Sequence, residues 1–314
     1  MNRREFLMSS ACACLATATA KVNPLFAEDA PAAPLVRVPG RRCGTPPPTP
    51  AASIQARRVI TALRTHRMSF RGETLVPVRW HIVHRGQRGQ LPDRQLKAQI
   101  AMLNRVYAPT GLQFKTIDVD LNENPEWYGL DVETDALSEM KAALGKDSAH
   151  CLNIFTCEPA NGILGIATFP WDLAQWPEID GVVLHNASLP SASRPVPDWP
   201  FDLGMTAVHE IGHWCGLYHT FQGGCVPPGD ELDDTPYEAS STFGCPIDQP
   251  SSCPGETHFN PVENYMDYSD DACMKRFTPE QVERVRDMIG YHRYELNPQT
   301  ARSQQLDQLR ATLE

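Results

Sequence analysis

The stretch from His209 to His219, HEIGHWCGLYH, constrains this chain more than any other. His209 and His213 stand four residues apart, so on a helix they share one face, one turn apart, and two imidazoles can meet one metal ion. Glu210 lies beside the first of them and can reach a water on that ion without being a ligand. Gly216 falls three residues after His213, where a helix can stop on a left-handed residue, a conformation glycine adopts at no steric cost. The chain then turns back, and His219 can close a three-histidine site. Three neutral nitrogens leave the fourth position of a tetrahedral zinc open for water, the mark of a catalytic rather than a structural site. The bland alternative is a pair of stray histidines on a core helix. In a chain with 10 His and 20 Gly, the five fixed positions coincide by chance in on the order of one such chain in ten thousand, or fewer. The rival of a zinc-binding but inactive domain is opposed by Glu210, which catalysis needs and binding does not.

The pattern H-E-x-x-H-x-x-G-x-x-H is that of the metzincin metalloproteases. The stretch GMTAVHEIGHWCGLYHTF, followed by ENYMDYSDDACMKRFT, resembles the pappalysin family of that clan, including its smaller prokaryotic members. The likeness spans most of the chain from near Leu75 to near Tyr291 and is strongest from Thr206 to Phe277. It implies an α+β fold, with a twisted mixed β-sheet and backing helices above the cleft and an irregular, disulfide-stapled lower part. It further implies that Asn264 to Tyr268 form the Met-turn, with Met266 as a hydrophobic floor beneath the zinc and Tyr268 aimed at the developing oxyanion. The expected reaction is peptide-bond hydrolysis with Glu210 as general base. Substrates are then proteins or peptides. Some family members cut before Arg or Lys, and an acidic S1′ pocket would explain that; Asp270 or Asp271 is the candidate for its charge.

Charge is unevenly spread. Residues 1–72 hold 11 Lys and Arg against 3 Asp and Glu, while the remainder holds 17 against 35. An acidic body excludes nucleic acid as an expected partner. The basic N-terminal part either lies on that body, as a pro-segment would, or is merely solvated. The ten cysteines, four of them between Cys225 and Cys273, point to an oxidising compartment.

The first twenty residues are a charged head and a modestly apolar run, too short for a membrane span. Arg3-Arg4 resembles a twin-arginine export signal; an ordinary secretory signal is the alternative, and cleavage after Ala20 or Ala27 both fit. We therefore expect a signal peptide over 1–27, a pro-segment over 28–72, a catalytic domain over 73–295 and a polar, peripheral tail over 296–314. The product is expected to be secreted or periplasmic, monomeric and free of the membrane after signal removal. Within the pro-segment, Arg41-Arg42-Cys43-Gly44-Thr45 places a thiol where a thiolate could fill the open zinc position. Some metzincins are kept latent in this way, and the stretch is similar; the alternatives for Cys43 are a disulfide partner or an idle thiol. The arginines Arg57, Arg58, Arg64 and Arg67 are candidate activation sites.

Periodicity predicts a short helix from Ser53 to Arg67, a strand from Leu75 to His84, and an amphipathic helix from Pro92 to Tyr107. That helix carries Leu96, Ile100, Leu103 and Tyr107 on one stripe and Asp93 as cap. A second strand follows from Leu112 to Val119 and a helix from Thr134 to Leu144. Cys151 to Cys157 reads as a buried strand; extended, its two cysteines lie roughly 20 Å apart and do not pair. Two further strands are expected at Ile163 to Phe169 and Gly181 to Leu184. The first of these looks like the edge strand with which metzincins bind an extended substrate. The zinc helix is expected to start near Asp202 and the last helix at Thr278-Pro279, with Gln281 completing a capping box.

Between His219 and Val262 the chain has little periodicity and would be costly to order without staples. Spacing leaves three pairings open for Cys225, Cys245, Cys253 and Cys273; the family resemblance implies Cys225–Cys253 and Cys245–Cys273. Cys215 either packs silently or pairs with Cys151 or Cys157. Asp230, Glu231, Asp233 and Asp234 are hard oxygen donors close together, either a calcium loop or a solvated acidic turn. A similar acidic loop in calcium-binding family members favours calcium at Asp230, Asp233 and Asp234. The remaining histidines, His66, His81, His84, His150, His185, His258 and His292, show no ligand spacing.

Overall fold

A Thr49 hydroxyl that accepts the Ala52 N–H, with Pro50 at the first helical position, starts helix α1 (Pro50–Thr65). The start lies three residues before the one periodicity indicates, because the cap and the proline decide it. The computed structural model describes residues 43–190, 199–248, 250–255, 258–297 and 304–313. The signal segment and Arg41-Arg42 lie outside these residues.

Strand β1 (Thr74–His84) carries Val76, Val78, Trp80 and Ile82 on one face, each at most 1% exposed. It pairs in parallel with β2 (Leu112–Glu123) on one side and β3 (Leu152–Cys157) on the other. Parallel neighbours require crossovers. Helix α2 (Asp93–Tyr107) supplies the first; α3 (Pro125–Tyr128) and α4 (Asp135–Leu144) supply the second. The α2 stripe holds, with Leu96, Leu103 and Tyr107 buried, but Pro92 is its N-cap and Asp93 pairs instead with Lys97 at 2.6 Å. Strand β2 runs four residues past Val119 because β1 continues beside it to His84.

The sheet is completed by β4 (Gly165–Ala167) and β5 (Val182–His185) in the order β2-β1-β3-β5-β4. β5 is parallel to β3 and β4 antiparallel to β5, so β4 is the edge strand. Only three residues of the expected Ile163–Phe169 run pair as strand.

Helix α5 (Met205–Trp214) packs Val208, Ile211 and Trp214 into the core formed by the sheet and α2. It begins three residues later than expected. Gly204 takes a left-handed conformation, φ 86°, and the Asp271 carboxylate accepts the N–H groups of Leu203 at 2.9 Å and Met205 at 3.3 Å. Helix α6 (Pro279–His292) has the expected capping box between Thr278 and Gln281. The expected peripheral tail instead contains a helix, α7 (Gln304–Leu313). Its Leu306 and Leu309 are buried, 1% and 5% exposed, in a cluster with Ala56, Val59 and Leu63 of α1 and Met288 and Tyr291 of α6. The two staples are Cys225–Cys253 and Cys245–Cys273. Cys151, Cys157 and Cys215 are buried free thiols, so Cys215 pairs with neither of the others.

One buried ion pair ties α5 to its surroundings. Arg293 donates to both Asp180 oxygens at 2.9 and 2.8 Å and to the Trp214 carbonyl at 3.2 Å, with its guanidinium 3.8 Å above the Trp214 ring. Trp214 Nε1 donates to the same carboxylate at 3.1 Å. Burial alone would raise the Asp180 pKa, but the charge and hydrogen bonds of Arg293 outweigh it and hold it below 3.8. Removing one partner strands the other, so Arg293→Ala should cost about 3–5 kcal/mol in urea unfolding; a loss under about 1 kcal/mol would refute this role. Because the folded pKa is depressed, the stabilisation is present above the ordinary pKa of 3.8 and is lost as pH falls through the folded value. A titration of unfolding free energy should show this acid loss in the wild type and a smaller one in Asp180→Asn.

Candidate metal centre and active site

Helix α5 ends through a hydrogen-bond pattern that sets the third histidine. Gly216 N–H donates to His213 O at 2.8 Å and Leu217 N–H to Gly212 O at 2.9 Å, with Gly216 at φ 94°. This is the pairing of a left-handed helix stop. A Cβ at Gly216 would also lie 2.7 Å from Met288 Cγ. The chain reverses here and brings His219 back against α5. His213 Nε2 lies 3.2 Å from His209 Nε2 and 3.0 Å from His219 Nε2. Tetrahedral zinc with Zn–N near 2.0–2.1 Å places two ligand nitrogens about 3.3 Å apart, so the spacing fits.

The protonation pattern fits as well. His209 Nδ1 donates to Tyr265 O and His213 Nδ1 to Leu217 O, each at 2.8 Å. Those bonds place the lone pair of each ring on Nε2. Burial, reinforced by the neighbouring rings, pushes His213 and His219 well below the ordinary histidine pKa. Neutral rings thus aim lone pairs at one another, an arrangement that a cation between them relieves. The Cys43 sulfur joins the three histidine donors, all within 4.8 Å of one another and all buried. It is the cluster of this kind found among the described residues.

Met266 is fully buried below α5. Its sulfur would lie 2.4 Å from a Cβ at Gly212, so only glycine permits this approach. The Met266 N–H is held by Asn264 Oδ1 at 2.9 Å, and the preceding carbonyl, Tyr265 O, orients His209. The Tyr268 hydroxyl stands 3.3 Å from His219 Nε2; burial raises its pKa strongly, with Cys43 and Glu210 acting the same way. Below Tyr268, the buried Glu238 accepts the hydroxyls of Thr220 and Thr242, and Thr242 N–H donates to Asp267.

Glu210 is 1% exposed. Its Oε2 accepts the Thr45 hydroxyl at 3.0 Å and the Cys43 thiol at 3.6 Å. Burial pushes its pKa up to about 8 against those two hydrogen bonds. Burial and then the Glu210 charge push the Cys43 thiol well up. The segment holding Cys43 lies along the sheet edge. Cys43 bridges in parallel to Gly165, Gly44 N–H donates to Gly165 O at 2.8 Å, and Ala167 N–H donates to the Thr45 hydroxyl at 2.8 Å. Thr45 was not indicated by the sequence reading, although it closes the RCGT stretch.

A small pocket beside these groups is lined by Leu164, Met205, Thr206, Met274 and the acids Asp267 and Asp271. Of Asp270 and Asp271, Asp271 lines this pocket and Asp270 does not. Asp271 also caps the start of α5. In the acidic loop, Asp230 is buried and Asp233 and Asp234 are exposed. The Asp234 carboxylate accepts the Glu280 N–H at 2.9 Å, at the start of α6. Asp230 and the Thr235 hydroxyl are both buried in this loop and interact with each other, and burial pushes the Asp230 pKa up to about 7.

A family model described as pregnancy-associated plasma protein-A, a peptidase family, matches residues 193–290. An extracellular metalloprotease of Pyricularia oryzae is 38% identical over 262 residues, covering 80% of this chain and 89% of that protein. One of Verticillium alfalfae is 38% identical over 256 residues, covering 77% and 87%. Among solved structures, a promirolysin mutant of Tannerella forsythia superposes with a TM-score of 0.70 at 25% identity, over 83% of this chain and 98% of that one. Mature mirolysin with a cleaved peptide gives 0.64 at 26% identity, over 74% and 98%. The converging histidines and these likenesses agree, and the chain belongs to the pregnancy-associated plasma protein-A, or pappalysin, family: it is a zinc metalloendopeptidase.

Proposed function

We propose that the chain is exported as a latent zymogen and becomes an endopeptidase when its N-terminal segment leaves the active site. The observation that carries this reading is Cys43. Its sulfur sits among the three histidine nitrogens while Thr45 and Gly44 occupy the edge of β4. Segment 28–72 is then the pro-segment, 1–27 the leader and 73–295 the catalytic domain. The relatives' extracellular naming and two disulfides support a place outside the cytoplasm.

His209, His213 and His219 would hold the zinc, with the Cys43 thiolate as a further ligand in the latent state. When bound, zinc supplies Lewis acidity that polarises a scissile carbonyl and eases deprotonation of water. Glu210 takes the proton of the attacking water and passes it to the departing amine. The Tyr268 hydroxyl donates to the developing oxyanion. The edge of β4, once free of Gly44 and Thr45, pairs its Gly165 carbonyl and Ala167 N–H with an extended peptide. Asp271 gives the adjoining pocket acidic character, which favours a basic side chain after the scissile bond. The buried, closely placed oxygens of Asp230 and Thr235 are of the hard type calcium takes. With Asp233 and Asp234 exposed, Asp230 is the carboxylate we assign to it.

Glu210→Ala should keep about one zinc per chain by elemental analysis and lose activity on casein by about 10²–10⁴-fold; retained activity would remove Glu210 from the mechanism. Cys43→Ala should cleave a peptide substrate before any processing, whereas the intact parent should not. Equal early activity of the two would refute the thiol's role. Removing calcium with a calcium-selective chelator should lower the melting temperature of the wild type, and Asp230→Ala should abolish that response. An unchanged melting curve on chelation would exclude a structural calcium there.

A further inference from the structure

The segment carrying Cys43 is held at a second place, in the helix that begins seven residues later. Helix α1 buries Ala56, Val59 and Leu63, each at most 1% exposed, between Met288 and Tyr291 of α6 and Leu306 and Leu309 of α7. Gln55 Nε2 donates to the Leu313 carbonyl at 3.4 Å. Arg57 pairs with Glu231, which also accepts from the buried Arg284. On the outer side, Arg310 of α7 lies 4.1 Å over the Tyr294 ring. The chain joining α1 to β1 differs in character: His66, Arg67, Ser69, Arg71, Gly72 and Glu73 are all exposed.

We infer that α6 and α7 form a docking groove for α1 that survives a cut in the 66–73 connection, so that segment 43–65 persists as a non-covalent inhibitor and α7 is its clasp. This rests on the reading of 28–72 as a pro-segment. The occupant is α1 itself, because the apolar faces match and because the basic segment meets an acidic partner at Glu231. The buried faces of α6 and α7 would have no cover once α1 left. Hydrolysis of one exposed peptide bond removes the tether but neither anchor. Cys43 and α1 remain joined by six residues, 44–49, of which three are proline. A short, stiff connection of that kind keeps the second contact at high effective concentration whenever the first opens. Activation then requires the groove to release α1, or a second cut between Cys43 and Pro50.

The test uses the full secreted chain with a site-specific protease sequence inserted between Arg71 and Gly72. After cutting, the N-terminal fragment should co-elute with the rest on size exclusion, and peptidase activity should stay below about a tenth of that reached after denaturing removal of the fragment and refolding. The double variant Leu306→Asp/Leu309→Asp should release the fragment on cutting, weakening its retention by about a hundredfold or more. Val59→Asp, which alters only the pro-segment, should do the same and guards against misfolding of the α7 variant. Release and full activity on cutting the parent, or retention in both variants, would overturn the groove while leaving the zymogen reading intact. Full activity of the uncut chain would remove the zymogen reading and the groove with it.

Discussion

The arrangement depends on two backbone carbonyls. Tyr265 O and Leu217 O each accept a histidine Nδ1–H at 2.8 Å, and those bonds fix which ring nitrogen faces inward. A histidine free to rotate could present either nitrogen in either direction, and the loss of order would weaken any metal site. Both carbonyls belong to turns. One lies just past the glycine stop of α5, the other in the turn ahead of Met266. The site is therefore only as good as the geometry of these turns. Gly216 at φ 94° and Gly212 against the Met266 sulfur are where that geometry permits no side chain.

The convergence of the three histidines was legible because its information is local. His209, His213 and Gly216 act through helix spacing and a turn, and these are properties of adjacent residues. The buried strands β1 and β3 and the capping box at Thr278 were legible for the same reason. What was missed lies in tertiary contacts. Asp271 starts α5 from 66 residues away, by accepting the Met205 N–H, and no window around Asp202 contains that fact. The leucines of α7 stand at helical spacing in a polar segment, and only the groove between α1 and α6 gives them a use. In the acidic loop, charge marked Asp230, Asp233 and Asp234 alike, and the last two are exposed. Burial singles out Asp230 with Thr235, and burial is not readable from composition.

The irregular stretch after His219 shows how a segment with little regular structure becomes a support. Two disulfides close it, and buried polar groups fill it. Glu238 ties Thr220, next to the third histidine, to Thr242, whose N–H reaches Asp267 beside Tyr268. These contacts place His219 and Tyr268 from the same side. A buried carboxylate costs desolvation unless it is satisfied, so this link is maintained only while the whole loop is closed. The staples thereby act on the site although no cysteine of theirs touches it.

On the zymogen reading proposed above, the latent state would use the machinery it silences. Cys43 sits with the three histidine nitrogens, Thr45 hydrogen-bonds Glu210, and Gly44 takes the Gly165 carbonyl at the sheet edge. At the other end, Arg57 reaches Glu231, whose partner Arg284 also donates to the Gly216 carbonyl at 2.8 Å. That carbonyl belongs to the glycine that ends α5 and turns the chain toward His219. Arg284 itself is 2% exposed and stacks 4.1 Å over the Tyr218 ring. A buried guanidinium needs a counter-charge, and Glu231 supplies it whether or not Arg57 is present. Loss of α1 would change the surface partner of Glu231 and leave the buried one in place, so activation on that reading would not dismantle the turn that carries the third histidine. On that reading the polar contact at Glu231 ends on a group that stays paired without α1, whereas the apolar contact on α6 and α7 does not.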